Sequence, residues 1–319
     1  MPRLLILAQF APAYLERLRR RFEVFHESWL DTAELVDPET LGERLRTQGI
    51  DYLVIEADFV LAETFAAAPN LRFVGVCRGE IGPHVDMQAA ARHGVTVIST
   101  PGRNAVAVAE LTLGFMLALA RRLPQAHDLV RGGHWDSALT GYGAWGGIEL
   151  AGRTVGLIGL GEVGRAVARR LRALEMRVLA TDPAVPVAPD GLAEMVDLAT
   201  LLRQSDFVSL HCSLTPETRN LIDAAALAQM KPGVFLINTA RAALVDEDAL
   251  LDALHEGRVA GVALDVHRVE PLPLNSPWLA VDRAILTPHI GGASVDVVSH
   301  HSRLIAEELE RFLGLQKQT

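Results

Sequence analysis

The amino-acid sequence predicts an α/β protein built from two doubly wound parallel-sheet domains. Short apolar runs alternate with helix-like segments along the whole chain, the pattern of strands joined by crossover helices. A length of 319 residues exceeds what one core usually holds, so two domains are expected. Between Val155 and Asp182 lie an apolar run, the glycines Gly159, Gly161 and Gly164, a helical stretch, a second apolar run and an acid. That order is the signature of a nucleotide-binding βαβ half.

Taken in order, the first part of the chain offers apolar strand candidates at Leu4–Ala8, Glu23–Phe25, Tyr52–Ile55, Phe73–Val76 and Thr96–Ile98. Helical patterns lie among them at Pro12–Arg21, Glu39–Thr47 and Asp86–His93, giving a smaller α/β domain with a parallel sheet. Leu4–Ala8 is too short for a signal-peptide core and runs into a charged helix pattern, so it reads as a buried strand. Thr100, Pro101 and Gly102 then punctuate the chain, and an apolar helix from Ala105 to Arg122 connects the domains. Glu110 interrupts that helix, and it is too short to span a bilayer comfortably. Arg131 to Gly147 combines six glycines, Gly141 and Gly143 among them, with Trp135, Tyr142 and Trp145. This aromatic arm reads as a subunit contact or as a loop folded onto its own chain.

After the glycine motif, strand candidates recur at Arg177–Thr181, Phe207–His211, Gly233–Asn238, Val259–Leu264 and Ala284–Leu286. With the strand before Gly159 they make the six of a doubly wound sheet. Helical patterns near Val196–Arg203, Ala224–Met230 and Asp246–Glu256 separate them, and Ser294–Phe312 reads as a last helix that returns to the first domain.

The glycine motif carries its own chemistry. The first glycine permits a tight turn out of the strand, the second lets backbone approach a pyrophosphate, and the third lets the helix pack closely. Amide groups at the helix start then face the phosphates. Asp182 lies about 20 residues on, where a carboxylate accepts from both ribose hydroxyls and repels a 2′-phosphate, which favours NAD over NADP.

Composition excludes several other classes. A net charge of −9 argues against nucleic acid as a partner. The basic run Arg17, Arg19, Arg20 and Arg21 lies opposite Leu15, Leu18 and Phe22 on a helical pattern, which makes it a solvated face. Cys77 and Cys212 are the only cysteines and imply no disulfide framework, so a cytoplasmic setting is expected. No metal site is expected.

In open parallel sheets, ligands bind outside the carboxyl ends of the strands. Arg241, Glu270 and His289 each fall just past such an end. Any one has an ordinary reading, as a surface charge, a loop acid or a helix-start residue. Their common placement at one rim points to a site.

The segments LINTARAALVDEDAL, ALDVHRVEPLP, LTPHIGG, HCSLTPETRNLI, GLGEVG and TPGRNAVAVAELTLGFMLALAR resemble the D-isomer-specific 2-hydroxyacid dehydrogenases along nearly the whole chain. The likeness is to the phosphoglycerate, glyoxylate and hydroxypyruvate enzymes, and it implies a short form without a regulatory domain. The resemblance implies a Rossmann cofactor domain at 102–289, inserted in a flavodoxin-like substrate domain at 1–101 and 290–319. It also implies an NAD-dependent oxidoreductase that interconverts a small 2-oxo acid and a D-2-hydroxy acid, with no membrane partner and a homodimer through the 103–147 region.

By the same resemblance, Arg241 clamps the substrate, a charge-assisted contact suited to a planar guanidinium. His289 donates a proton to the carbonyl oxygen, and Glu270 hydrogen-bonds that imidazole and raises its pKa toward the working pH. Gly159, Gly161, Glu162, Val163, Gly164, Asp182, Cys212 and Thr239 would contact the dinucleotide, with Asp265 near the nicotinamide carboxamide. As a strand-end residue Asp265 is equally suited to capping. Arg78, Gly79 and Glu80 fall in the loop that matches the family's carboxylate cradle.

Three departures stand out. Ala242 follows Arg241 where glycine is common, and Glu162 stands where many members carry an arginine. In the Cys77–Asp86 loop, Glu80 and Ile81 replace small residues, and an acid there repels a carboxylate unless it is turned away. This loop leaves room for a dehydrogenase of another small anion, such as phosphite or formate. An NAD-sensing, corepressor-like binding protein is the alternative from another class.

Overall fold

The computed structural model describes residues 1–82, 84–136, 142 and 145–314, so Gly141 and Gly143 of the aromatic arm lie outside the described residues. The chain forms two compact units. One is Met1–Arg103 with the segment from Ser294 onward, and the other is Asn104–Ala293.

The first unit is a parallel sheet of β1 (Arg3–Leu7), β2 (Glu23–Glu27), β3 (Tyr52–Ile55), β4 (Phe73–Val76) and β5 (Thr96–Ser99) in the order β2-β1-β3-β4-β5, the flavodoxin-like arrangement. Its inner strands β1, β3 and β4 read as apolar runs because both faces are covered. Alternation assigns Leu5 and Leu7 to one face with Leu41, Leu45 and Phe65. Leu4 and Ile6 pack on the other with Leu15, Leu18, Ile305 and Leu309.

Five helices precede the chain's exit from this unit. They are α1 (Pro12–Arg19), α2 (Trp29–Thr32), α3 (Pro38–Thr47), α4 (Ala62–Ala67) and α5 (Met87–Arg92). Asp37 and Asp86 cap α3 and α5 by accepting from amides of the first turn. The short α2 and α4 carry no readable sequence period. Packing decides them: buried Thr64 of α4 donates its hydroxyl to the Pro38 carbonyl at 2.9 Å.

The second unit opens with α6 (Ala105–Arg121) and α7 (Leu123–Arg131). The apolar helix expected to reach Arg122 ends one residue earlier. Arg122 takes a left-handed conformation at φ 52°, and Pro124 lies in the first turn of α7.

Seven parallel strands follow, ordered β12-β11-β10-β9-β6-β7-β8. They are β6 (Thr154–Ile158), β7 (Arg177–Thr181), β8 (Glu194–Met195), β9 (Phe207–Leu210), β10 (Val234–Asn238), β11 (Val259–Leu264) and β12 (Ala284–Leu286). Six strands are expected from the sequence. The additional one, β8, is an edge strand of two residues, too short to show alternation.

Helices α8 (Glu162–Ala173), α9 (Leu198–Gln204), α10 (Ala224–Gln229) and α11 (Glu247–His255) cover the sheet, and α12 (Val295–Phe312) belongs to the first unit. One face packs Leu201, Leu227, Leu250 and Trp278, the other Phe115, Met116, Val167 and Leu171. This is the doubly wound architecture.

Gly156 in β6 is fixed by packing. A Cβ there would lie 2.4 Å from both Leu201 Cδ2 and Ser205 Oγ. Gly156→Ala is therefore expected to destabilise the chain by about 1–3 kcal/mol through overpacking, read as a lower urea midpoint with an unchanged m-value.

Candidate active site

Because every strand pair in the second unit is parallel, all carboxyl ends share one edge. The glycine turn leaves β6, Asp182 follows β7, and Cys212 leaves β9. Thr239 and Arg241 leave β10, Asp265 and Glu270 follow β11, and His289 follows β12. The second unit thus gathers the residues singled out after Gly159 on one rim. Between β6 and β9 the winding reverses, which is where doubly wound sheets open a crevice.

At that reversal the three glycines divide their roles. Gly159 lies at φ 99°, and a Cβ there would approach the Cys212 amide nitrogen to 2.6 Å. A Cβ on Gly164 would meet the Gly159 carbonyl oxygen at 2.2 Å, so this glycine packs the helix onto the turn itself. Gly161 faces open space. It is also the N-cap of α8, and no side chain caps the helix there. The amides of Glu162, Val163 and Gly164 fall in the first turn, whose donors have no intrahelical acceptor.

Asp182 fastens this turn. Its Oδ2 accepts from the Leu160 amide at 2.8 Å and its Oδ1 from the Ala184 amide at 2.9 Å. Each oxygen keeps acceptor capacity for a hydroxyl. The departure at Glu162 resolves harmlessly, since its side chain is 66% exposed and 3.9 Å from Arg165. Arg165 is the cation that sequence reading missed. One turn further along α8, it reaches back to donate from Nε to the Leu160 carbonyl at 2.9 Å.

These residues fit a dinucleotide. An uncapped helix start beside an open glycine suits a pyrophosphate, and Asp182 is placed to accept from a ribose. His211 and Cys212 wall the turn. Burial lowers the His211 imidazole from its ordinary 6.5 to about 4, and its Nδ1 has no partner among the described residues. Burial, aided by Asp182, pushes the Cys212 thiol up, so it stays protonated.

On the other side of β9, the β10 exit is tied down from within. Buried Asn238 accepts from the Ala240 amide and donates to the Arg241 carbonyl. Thr112 Oγ1 donates to the Val108 carbonyl, so Thr239 Oγ1 at 3.3 Å donates to Thr112. Arg241 is exposed, with Nη1 donating to the Ala240 carbonyl at 2.8 Å. Ala242 opens a 3-10 turn without left-handed backbone, so no glycine is required there.

His289 Nδ1 and Glu270 Oε2 are 2.9 Å apart, with side chains 50% and 39% exposed. Glu270 Oε1 accepts from the His267 amide at 2.9 Å. Burial drives the Glu270 carboxyl up, but the His267 amide and the His289 ring outweigh it and hold the acid below its ordinary value. Asp265 is 1% exposed, and its carboxylate accepts from Thr287 Oγ1 and the Ile290 and Gly291 amides. These bonds cap the turn around His289.

In the first unit, Arg78 Nε donates to the Glu56 carbonyl at 2.6 Å. The Arg78 carbonyl accepts from the Thr100 amide at 2.9 Å. The Gly79 amide has no acceptor among the described residues. Glu80 is exposed, and Ile81 packs against the core beneath the loop. Behind Arg78 lies a polar group that the sequence did not reveal. Buried Glu56 accepts from Trp29 Nε1, the Gln9 amide and Arg103 Nη1. Arg103 donates onward to His301 Nδ1 at 2.9 Å. An arginine only donates, so His301 is neutral and its Nε2–H donates to the Gln9 carbonyl at 2.7 Å.

The second unit also holds a cavity of about 710 Å³ bordered by Trp145, Ile148, Phe235, Gly261 and Ala284. The last three lie in the amino-terminal halves of their strands, away from the rim.

Residues 113–291 match the model of the D-isomer specific 2-hydroxyacid dehydrogenase NAD binding domain. The chain belongs to this family. It is an NAD-dependent oxidoreductase that transfers hydride between NAD(H) and a 2-oxo acid/2-hydroxy acid pair. A glyoxylate reductase of Thermofilum pendens is 41% identical over 263 residues, covering 81% of this chain and 76% of that one. A hydroxypyruvate reductase of Thermotoga maritima is 39% identical over 270 residues, 83% of this chain and 86% of the other. The crystal structure of the TT0316 protein from Thermus thermophilus superposes with a TM-score of 0.83 at 36% identity, covering 99% and 98% of the two chains.

Two outcomes follow from this geometry. Asp182→Ala is expected to lower the ratio of kcat/KM for NADH over NADPH at least tenfold while raising KM for NADH, because the same carboxylate holds the turn and a carboxylate at this place would repel a 2′-phosphate. The unfolded chain protonates His211 below about pH 6.5, whereas the folded chain resists until about pH 4. Stability therefore falls with pH across that window. His211→Asn should remove about 2 kcal/mol of the loss between pH 7 and pH 5 in urea titrations. Glu270 acts in the same direction at still lower pH, its contribution vanishing as the pH falls through its depressed value.

Proposed function

We propose that this chain reduces a small anionic 2-oxo acid with Arg241, Glu270 and His289 as its catalytic group, the NAD site lying in the second unit and the substrate loop in the first. The observation that carries the reading is the 2.9 Å contact of His289 Nδ1 with Glu270 Oε2 on the rim where Arg241 also stands.

NADH, when bound, supplies the hydride. Gly159, Gly161 and Gly164, with the first-turn amides of α8, hold the pyrophosphate, and Arg165 adds positive charge beside them. Asp182 takes the adenosine ribose. Thr239 and Cys212 line the same rim.

The side chains do the remaining work. Arg241 pairs with the substrate carboxylate through a planar fork and orients the 2-oxo group. His289 holds a proton on Nε2 and delivers it to the carbonyl oxygen as that oxygen gains charge. Glu270 accepts from Nδ1, fixing the ring's orientation and leaving Nε2 to face the substrate. Acid–base assistance of this kind is worth roughly 10² to 10⁴ in rate. Arg78 and Gly79 supply a guanidinium and an open amide for an anionic substrate, and the exposure of Glu80 supports its being turned away. The names of the two relatives support glyoxylate and hydroxypyruvate as first substrates to test.

We also propose a homodimer through the 103–147 region. Leu117, Leu123, Val130 and Trp135 are exposed there, and α7 buries none of its residues. The negative charge supports the absence of a nucleic-acid partner. Among the described residues, no helix is long and apolar enough to cross a membrane. Two free cysteines and no disulfide support a cytoplasmic setting.

The test is NADH oxidation with glyoxylate, hydroxypyruvate, pyruvate, phenylpyruvate and 3-phosphohydroxypyruvate. Turnover of at least one is expected, and silence across the panel favours a binding protein. His289→Gln should lower kcat by about 10²- to 10⁴-fold with the NADH Kd within about twofold. Unchanged turnover would remove His289 from the chemistry.

A further inference from the structure

The carbonyl oxygen of Thr287 takes two donors. One is the His289 amide at 3.0 Å, and the other is the ring Nε2 of His267 at 2.9 Å. A carbonyl only accepts, so the His267 proton is on Nε2, and both lone pairs of that oxygen are used. The opposite nitrogen, Nδ1, is buried with no hydrogen-bond partner among the described residues. This ring is therefore held in one tautomer by one bond. The amide of the same residue donates to Glu270 Oε1 at 2.9 Å. His267 thus touches both the carboxylate that orients His289 and the turn that presents it.

That turn needs holding. His289 lies at φ 54°, in the left-handed region, which an L-residue disfavours and which persists only where the surroundings enforce it. Asp265 enforces it from the far side through the Ile290 and Gly291 amides. His267 enforces it from the near side, at the carbonyl immediately before Pro288.

We propose that His267 is a positioning residue for the acid–base pair, its ring N–H fixing the Thr287–His289 turn while its amide fixes Glu270. The proposal rests on His289 being the proton donor. The amide bond survives substitution and the ring bond does not, so the two contributions separate. His267→Phe keeps an aromatic ring and loses the donor. His267→Asn is too short to reach the carbonyl, whereas His267→Gln carries an N–H to about the place of Nε2.

The experiment measures kcat, KM and NADH Kd for the full-length protein and these variants, with whichever 2-oxo acid of the panel above is turned over fastest. Circular dichroism checks folding. Misplacing a catalytic group by about 1 Å costs about 10²-fold. The Phe and Asn variants should accordingly lose about 10- to 100-fold in kcat, with KM and NADH Kd within twofold. Gln should recover to within about fivefold of the parent. A folded Phe or Asn variant with kcat within twofold of the parent overturns the proposal, as does a Gln variant that falls as far as they do. His289→Gln is the control: if it stays active, or the parent turns over nothing, the reading of His289 fails and takes this one with it. If His289→Gln is dead and His267→Phe is not, only the role of His267 is refuted.

Discussion

Parallel pairing of β9, β10, β11 and β12 onto β6 and β7 is the constraint on which the rest of the second unit depends. A parallel strand must be followed by a crossover, so each chain exit falls on the same edge as the last. Chemistry-bearing residues far apart in sequence are thereby delivered to one rim. No single loop could do this, because Gly159 and His289 are separated by most of the unit. Helices on both faces keep the strands buried and the edge fixed.

Once the rim exists, its side chains are held mainly by backbone groups. Asp182 accepts from the Leu160 amide, Asn238 from Ala240, and Asp265 from Ile290 and Gly291. Such bonds use donors that would otherwise be left unpaired at strand exits, where the ladder has ended. They also set the directions of neighbouring functional groups. Asp265 does both at once: a buried acid with no room for an unpaired charge stabilises itself by ordering the turn that presents His289. The first unit follows the same rule at Glu56, whose carboxylate collects three donors and whose carbonyl anchors Arg78.

The local patterns that the sequence makes legible are those with short range. The inner strands of both sheets could be read from apolar runs, because strands buried on two faces leave a continuous signal. The edge strand β8 and the four-residue α2 left none, since two residues of strand or a single turn of helix cannot display a period. Among site residues, the glycines, Asp182, Arg241, Glu270 and His289 were legible from spacing and family likeness. Arg165, Asn238, His267 and the Glu56–Arg103–His301 group were not. Their meaning lies in partners dozens to hundreds of residues away, or in a backbone direction that spacing does not encode.

The sequence by itself determined the class of fold, the family and the cofactor. Each rests on local order: apolar runs between helices, three glycines opening a helix, an acid at the end of the next strand. Tertiary structure alone decided which groups the ambiguous side chains touch. It turned Glu162 to solvent beside Arg165, committed Asp265 to capping amides, and set His267 between Glu270 and Thr287. The physical reason is that a hydrogen bond depends on distance and direction in space, and those are fixed only when the strands have been laid side by side.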